Sequence, residues 1–260
     1  MQMLKRIFIL TLAGLWLFST TAEARFIPKW YSRISGGYSY WKLEDLNQRI
    51  LNRRPFFNTA GALNHSFNQL PSGHPSFNLG LQYDLFSKIS LLATFEYRRA
   101  TVTNGTVTDS FRVEAITRPI EINLGLDVLW RLGPKENILV GVGSGLSYVR
   151  FRDDIKVFDR RADPDSLSEL FLEKYNSLAI FGEVRAIYVL PFELFTGQHF
   201  FLETLGRLNP IDYFAGTTNR NGNTFYDVEA IFLPAGSIEP RLVKLDFSGF
   251  YIGFGSNFRL

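Results

Sequence analysis

Ser76-Phe77-Asn78-Leu79-Gly80-Leu81-Gln82-Tyr83-Asp84-Leu85 alternates polar and apolar side chains without a break. Successive side chains of a β-strand point to opposite faces, so this period of two describes a strand with one apolar and one polar face. Phe77, Leu79, Leu81, Tyr83 and Leu85 share the apolar face, while Ser76, Asn78, Gly80, Gln82 and Asp84 share the polar one. The same pattern runs from Pro119 to Trp130, where Ile120, Ile122, Leu124, Leu126, Val128 and Trp130 oppose Glu121, Asn123, Gly125 and Asp127. It returns in the last residues, where Phe250, Ile252, Phe254, Phe258 and Leu260 oppose Tyr251, Gly253, Gly255, Asn257 and Arg259.

Five noisier segments complete the set, around Ile34–Tyr40, Ile89–Arg98, Ile138–Tyr148, Leu178–Tyr188 and Phe200–Leu208. The reading is therefore all-β with about eight strands, each near the 9–11 residues a tilted strand needs to cross a bilayer. The connections alternate in length. Long ones are expected near 43–75, 102–115, 152–175 and 209–241, and short ones near Phe86-Ser87-Lys88, Gly133-Pro134-Lys135-Glu136 and 192–197. Short turns on one side and long loops on the other are the asymmetry of an up-and-down barrel crossing an outer membrane, with both termini on the short-turn, periplasmic side.

Alternation alone fits a soluble barrel equally well, with its apolar face turned inward. Three features favour the opposite sense. The polar face is rich in glycine (Gly37, Gly80, Gly125, Gly141, Gly143, Gly145, Gly253, Gly255), which suits the narrow interior of eight strands. It also carries Glu96, Arg98, Glu121, Asp127, Glu183, Arg185, Glu203, Arg207 and Arg259, charges that can satisfy one another inside a barrel but not in lipid. Finally, Tyr38, Tyr40, Trp41, Tyr83, Phe86, Trp130, Tyr148 and Tyr188 gather near strand ends, as interfacial girdles do.

The last strand resembles the C-terminal signature of bacterial outer-membrane β-barrels on Phe250, Ile252, Phe254, Phe258 and Leu260, although those signatures usually end in an aromatic residue. The resemblance is to the broad superfamily of small eight-stranded barrels and implies insertion by the barrel-assembly machinery of a Gram-negative cell. Its implied surroundings are outer-membrane lipid and lipopolysaccharide.

Lys5 and Arg6, an apolar run from Ile7 to Phe18 and then Ala22-Glu23-Ala24 have the order of a secretory signal peptide, so residues 1–24 are expected to be cleaved and 25–260 to form one barrel. Loss of Lys5, Arg6 and Glu23 with the leader takes the formal charge from +3 to +2. A charge that small, scattered along the chain, gives no nucleic-acid footprint. The chain has no cysteine, which excludes disulfides, thiolate metal sites and a cysteine nucleophile.

Residues with catalytic potential are few. His65, His74 and His199 are the three histidines, and no metal or nucleophile motif surrounds them. Asp109-Ser110 and Asp165-Ser166 sit in expected external loops and could imitate the rim dyad of lipid A-modifying barrels; Asp163-Pro164-Asp165-Ser166 also reads as the start of a short helix at Leu167-Ser168-Glu169-Leu170. In the first long loop, Leu43, Leu46, Ile50 and Leu51 recur at helical spacing, which predicts a short amphipathic helix with Arg49, Arg53 and Arg54 on its polar side. Asn219-Arg220-Asn221-Gly222-Asn223 predicts a projecting hairpin. The expectation is a non-enzymatic barrel without cofactor or metal, serving structure or surface binding. A narrow channel for ions or small apolar molecules and a lipid A-modifying enzyme remain open beside it, because one barrel serves all three uses. Large-solute porin traffic is not expected, since open aqueous lumens need about 16 strands.

Overall fold

The computed structural model describes residues 29–51, 68–133, 135–161, 167–193, 197–232, 241–243 and 245–260. The expected leader, together with Arg53, Arg54, His65, Asp165 and Ser166, lies outside the described residues. In chain order the elements are β1 (Trp30–Lys42), α1 (Glu44–Leu51), β2 (Gly73–Phe86), β3 (Ile89–Arg99), β4 (Val102–Val107), β5 (Phe111–Leu132), β6 (Ile138–Asp159) and β7 (Leu167–Glu193). There follow β8 (Gln198–Leu208), β9 (Pro210–Ile211), β10 (Ala215–Arg220), β11 (Asn223–Glu229), β12 (Ile231–Phe232), β13 (Arg241–Leu242) and β14 (Leu245–Arg259).

Eight of these strands close a ring in the order β1-β2-β3-β5-β6-β7-β8-β14, and every neighbouring pair is antiparallel. Closure is made by β14, which pairs with β1 from Tyr31↔Arg259 to Tyr40↔Phe250 and with β8 from Gly249↔Arg207 to Phe258↔Gln198. A closed ring leaves no ladder of unpaired backbone groups in its wall, which a strand in hydrocarbon requires. The turns β2–β3, β5–β6 and β7–β8 lie at the end that holds Trp30 and Arg259. The β5–β6 turn passes through Gly133 with φ +83°, a left-handed conformation glycine adopts at no steric cost. All longer connections stand at the opposite end.

Alternation then sorts the side chains. Ile34, Leu79, Leu124, Leu126, Leu146, Ile180, Val184, Leu202, Ile252 and Phe254 face outward and are exposed. Ser35, Asn78, Thr94, Glu96, Glu121, Asp127, Ser147, Glu183, Arg185, Glu203 and Arg207 face inward and are buried. The barrel is thus inside out relative to a soluble one. From Ile138 to Tyr148 on β6 the outward apolar stretch, at about 3.4 Å per residue and a tilt near 40°, covers roughly 26 Å, the height of a membrane barrel's apolar band.

Above that band the alternation continues but its sense inverts. On β5, Val113 and Ala115 turn inward and are buried, while Arg112, Glu114 and Arg118 turn outward. On β6, Val149 and Phe151 are buried while Arg150, Arg152 and Lys156 face out. Apolar-out below and apolar-in above is the pattern of one strand passing from lipid into water, where the core must hide inside.

Three expectations are corrected here. The ranges 102–115 and 152–175 are largely strand, because β5 and β6 run for 22 residues and β7 for 27, well past the apolar band. Pairing satisfies their backbone groups in water as it does in lipid, and β4 extends the sheet by pairing Val102–Val107 with the upper part of β5. Leu167–Leu170 is strand rather than helix, held by β6 and by Asn221, whose side-chain oxygen accepts the Leu170 N–H at 2.8 Å. Long-range pairing overrides the local helix-start signal. Trp41 belongs to no outer girdle; it turns inward against His74 and Phe247, since its neighbour Tyr40 already faces out. The other aromatics do form two tiers on the outside, with Trp30 and Tyr83 in contact at 4.5 Å near the short turns and Tyr40 stacked on Phe250 near the opposite edge.

Candidate functional site

The barrel interior is the region where charge concentrates. Arg207 on β8 donates to Glu96 on β3 at 2.5 Å and to Glu183 on β7 at 2.5 Å. β3 and β8 are four places apart in the ring of eight, so the first bond crosses the full diameter of the lumen. Arg98 binds Glu96 at 2.7 Å and approaches Glu121 at 3.4 Å. Arg185 gathers three carboxylates: Asp127 at 2.7 Å, Glu183 at 2.7 Å and Glu203. Neutral groups extend the network. Asn209 donates to Glu121 at 2.7 Å and to Ser147 at 2.9 Å, and the Tyr251 hydroxyl donates to Ser35, which donates to Glu203.

The structure therefore joins Glu96, Arg98, Glu121, Asp127, Glu183, Arg185, Glu203 and Arg207. It does not join Arg259, which has the right strand parity but lies at the open end and is exposed. Parity places a side chain on a face and says nothing of its height along the barrel. A second network, nearer the short turns, escaped the sequence reading as a charge cluster: Arg33 donates to Gln82, Gln82 and Ser90 donate to Asp84, and Arg131 binds Asp84 at 2.5 Å. Gln82 and Asp84 lie on a polar face already recognised, so the missing signal was the pairing of Arg131 with Asp84, to which Arg33 connects through Gln82.

Glycine sets how tightly this packs. A Cβ at Gly143 would stand 1.7 Å from the Asp127 carboxylate, and one at Gly253 would stand 1.8 Å from the Tyr251 hydroxyl. Between the two networks a void beside Arg33, Asn78, Arg185 and Glu203 measures about 10 Å³. That is the room of a single water at most.

Both ends differ from the middle. Toward the long loops the lumen is stoppered by an apolar core in which Leu43, Leu46 and Ile50 from the α1 region meet Phe151, Phe214 and Phe247. α1 forms there because Leu43, Leu46 and Ile50 fall on one face, with Glu44 in the first turn and Arg49 in the last. Arg49 anchors it, binding Asp153 at 3.1 Å and Glu173 as well. Burial opposes that charge, yet Glu173 and Asp153 outweigh it and hold the Arg49 guanidinium above its usual range. Asn47 fixes the returning chain by accepting from the Leu70 N–H at 2.8 Å. Toward the short turns the lumen opens into a cavity of about 430 Å³ walled in part by Gln82, Arg131, Leu139 and Asn257.

The chain is a closed, eight-stranded antiparallel β-barrel with an apolar outer wall and a charged interior. No family model matches the chain, and no curated protein matches it. Among solved structures it is similar to the outer membrane protease OmpT of Escherichia coli, with a TM-score of 0.41 at 10% identity over 89% of this chain and 97% of that one. It is similar also to the outer membrane protein OprG of Pseudomonas aeruginosa, with a TM-score of 0.36 at 12% identity over 90% and 95% of the two chains. The closed ring described above stands on this chain's own strand pairing.

The residues with catalytic potential are scattered over the barrel. Asp109 and Ser110 make the tight turn between β4 and β5, where the Arg160 N–H donates to the Ser110 carbonyl. His74 is buried against Trp41 at a ring distance of 4.6 Å, and His199 lies at the opposite, short-turn end of the barrel. Among the described residues, no group of three or more His, Asp or Glu is placed to hold a metal ion.

Proposed function

We propose that this protein is an integral outer-membrane barrel with a closed lumen, whose work is done by the structure standing outside the outer leaflet. One observation carries the reading: strands that only needed to cross the membrane run on to build a second, water-exposed layer, while the lumen below is bridged across its diameter by Arg207 and Glu96. Above the apolar band the sheet widens through β4, β5, β6, β7, β10 and β11, and the β10–β11 hairpin projects exposed Phe225 and Tyr226. Its turn uses Asn221 and Gly222 at positive φ, the conformation of a tight hairpin turn. A rigid scaffold that presents exposed loops suits binding or structural support. Lipopolysaccharide around the barrel, delivery by the assembly machinery and termini in the periplasm belong to the same proposal.

Reconstitution into planar bilayers tests it. The closed-lumen reading expects no stepwise conductance from the wild type, and expects it also when the β10–β11 hairpin is replaced by a short turn. Regular conductance steps that change with Glu96→Gln or Arg185→Gln would instead establish a narrow ion channel, because such steps report charged groups lining a water-filled path.

A further inference from the structure

The register places five cations on one outward patch at the upper edge of the apolar band. Tyr97, Ile122, Tyr148 and Leu178 face each other across β3, β5, β6 and β7 and form the last apolar row. Two residues higher, the same ladder brings Arg99, Ile120, Arg150 and Asn176 into line. The next row aligns Arg118, Arg152 and Lys174. At about 3.4 Å per residue the two cationic rows stand roughly 7 and 14 Å above the tyrosines along the strand, and four neighbouring strands span about 14 Å in width. The patch has the dimensions of one large lipid headgroup.

Its charges are largely uncommitted. Arg118 and Arg152 share Asp154, at 3.4 and 2.6 Å. Arg99, Arg150 and Lys174 have no acidic partner among the described residues, and Arg99 and Lys174 are exposed. Water-facing strands elsewhere on the molecule mix signs, as Arg112 and Glu114 do at 3.4 Å. Here five positive groups face a single carboxylate, an arrangement that repels itself unless an anion sits on it. A second feature adjoins it on the barrel wall: an open groove of about 410 Å³, lined by Pro75, Phe77, Tyr97, Ala100 and Thr101, with Arg99 at its side. An apolar groove that runs into a cationic patch matches an acyl chain joined to a phosphorylated head.

We propose that the outer face of β3, β5, β6 and β7 is a binding site for a phosphorylated glycolipid of the outer leaflet, with Arg99, Arg118, Arg150, Arg152 and Lys174 on its phosphates and the Phe77–Tyr97 groove on an acyl chain. The site rests on the membrane placement proposed above. It gives that placement a specific partner and fixes the height at which the barrel floats.

Native mass spectrometry of the detergent-solubilised full barrel with bisphosphorylated lipid A, its monophosphoryl form and inorganic phosphate is the test. The wild type should retain bisphosphorylated lipid A more tightly than the monophosphoryl form, and millimolar inorganic phosphate should not displace it. At a factor of about 5 for each cation near an anionic lipid surface, the triple variant Arg99→Gln, Arg150→Gln, Lys174→Gln should bind on the order of 100-fold more weakly. Lys156→Gln, on the same strand but higher, should change binding less than about 2-fold, since such attraction fades within a Debye length. A compact gel band that shifts on boiling reports that each variant still folds. Equal retention of both lipids, or a triple variant that binds like wild type, overturns the site. Full displacement by phosphate shows a simple anion patch and overturns the lipid assignment. Loss of the boiling shift in the wild type would strike the membrane placement instead.

Discussion

Replacing Leu126 by arginine probes the orientation of the wall quantitatively. Leu126 is 55% exposed on the outer face of β5, opposite Ser144, with Ile122 and Leu124 above it and Val128 and Trp130 below. It therefore sits near the middle of the apolar band. A cation at the midplane of a membrane barrel's lipid face costs about 2–4 kcal/mol, falling to about 0–1 near the interface. The same change on a water-exposed strand falls within about 0.5 kcal/mol. Leu126→Arg should therefore raise the unfolding constant by roughly 30- to 900-fold, at 1.36 kcal/mol per decade. Asn176→Arg, outward on the first cationic row, should change it less than about 5-fold. Denaturant titration of the barrel in phosphatidylcholine vesicles, followed by tryptophan fluorescence, reads both. A Leu126→Arg variant as stable as wild type, or an Asn176→Arg variant that suffers equally, would refute the apolar-out assignment.

Other perturbations test the interior and the stopper. Arg185→Leu leaves Asp127, Glu183 and Glu203 without their shared cation and should cost about 3–5 kcal/mol in the same titration, whereas an unaffected midpoint would mean the carboxylates are not held as described. Gly143→Val must displace the Asp127 carboxylate and should cost at least about 1–3 kcal/mol, read as a lowered denaturant midpoint. Arg49→Gln removes the cation that ties α1 to Asp153 and Glu173; hydrogen exchange should speed up across α1 while the protection of β3 and β8 stays unchanged.

The strands that cross the membrane were legible because one physical demand repeats along them. Ser76–Leu85 and Pro119–Trp130 must be apolar toward lipid and polar toward a narrow lumen, and period two records both demands at once. The continuation of β5 and β6 was harder to see, since Arg112–Arg118 keeps the period but reverses its sense, and a search for apolar-out strands reads such a stretch as loop. Trp41 was legible in principle, because consecutive residues such as Tyr40 and Trp41 cannot share a face. Eight members of the interior network shared a recognisable face, yet Asn209, beyond the end of β8, completes it through contacts to Glu121 and Ser147 that no local pattern encodes. Arg259 shows the complementary gap. Sequence gives the face, and only register gives the level. The outward cationic patch depends on the same information, because Arg99, Arg118, Arg150, Arg152 and Lys174 become neighbours only once four strands are aligned.

The absence of cysteine makes the most direct test available without background labelling. Single substitutions Leu126→Cys, Gly222→Cys and Lys135→Cys, challenged on intact cells with a membrane-impermeant maleimide, report the lipid face, the projecting hairpin and the short-turn end. The account predicts rapid labelling of Gly222→Cys, labelling of Lys135→Cys only after the outer membrane is opened, and none of Leu126→Cys until the barrel is unfolded. Labelling of Leu126→Cys in intact cells at the rate of Gly222→Cys would contradict it, because the face assigned to lipid would then be standing in water.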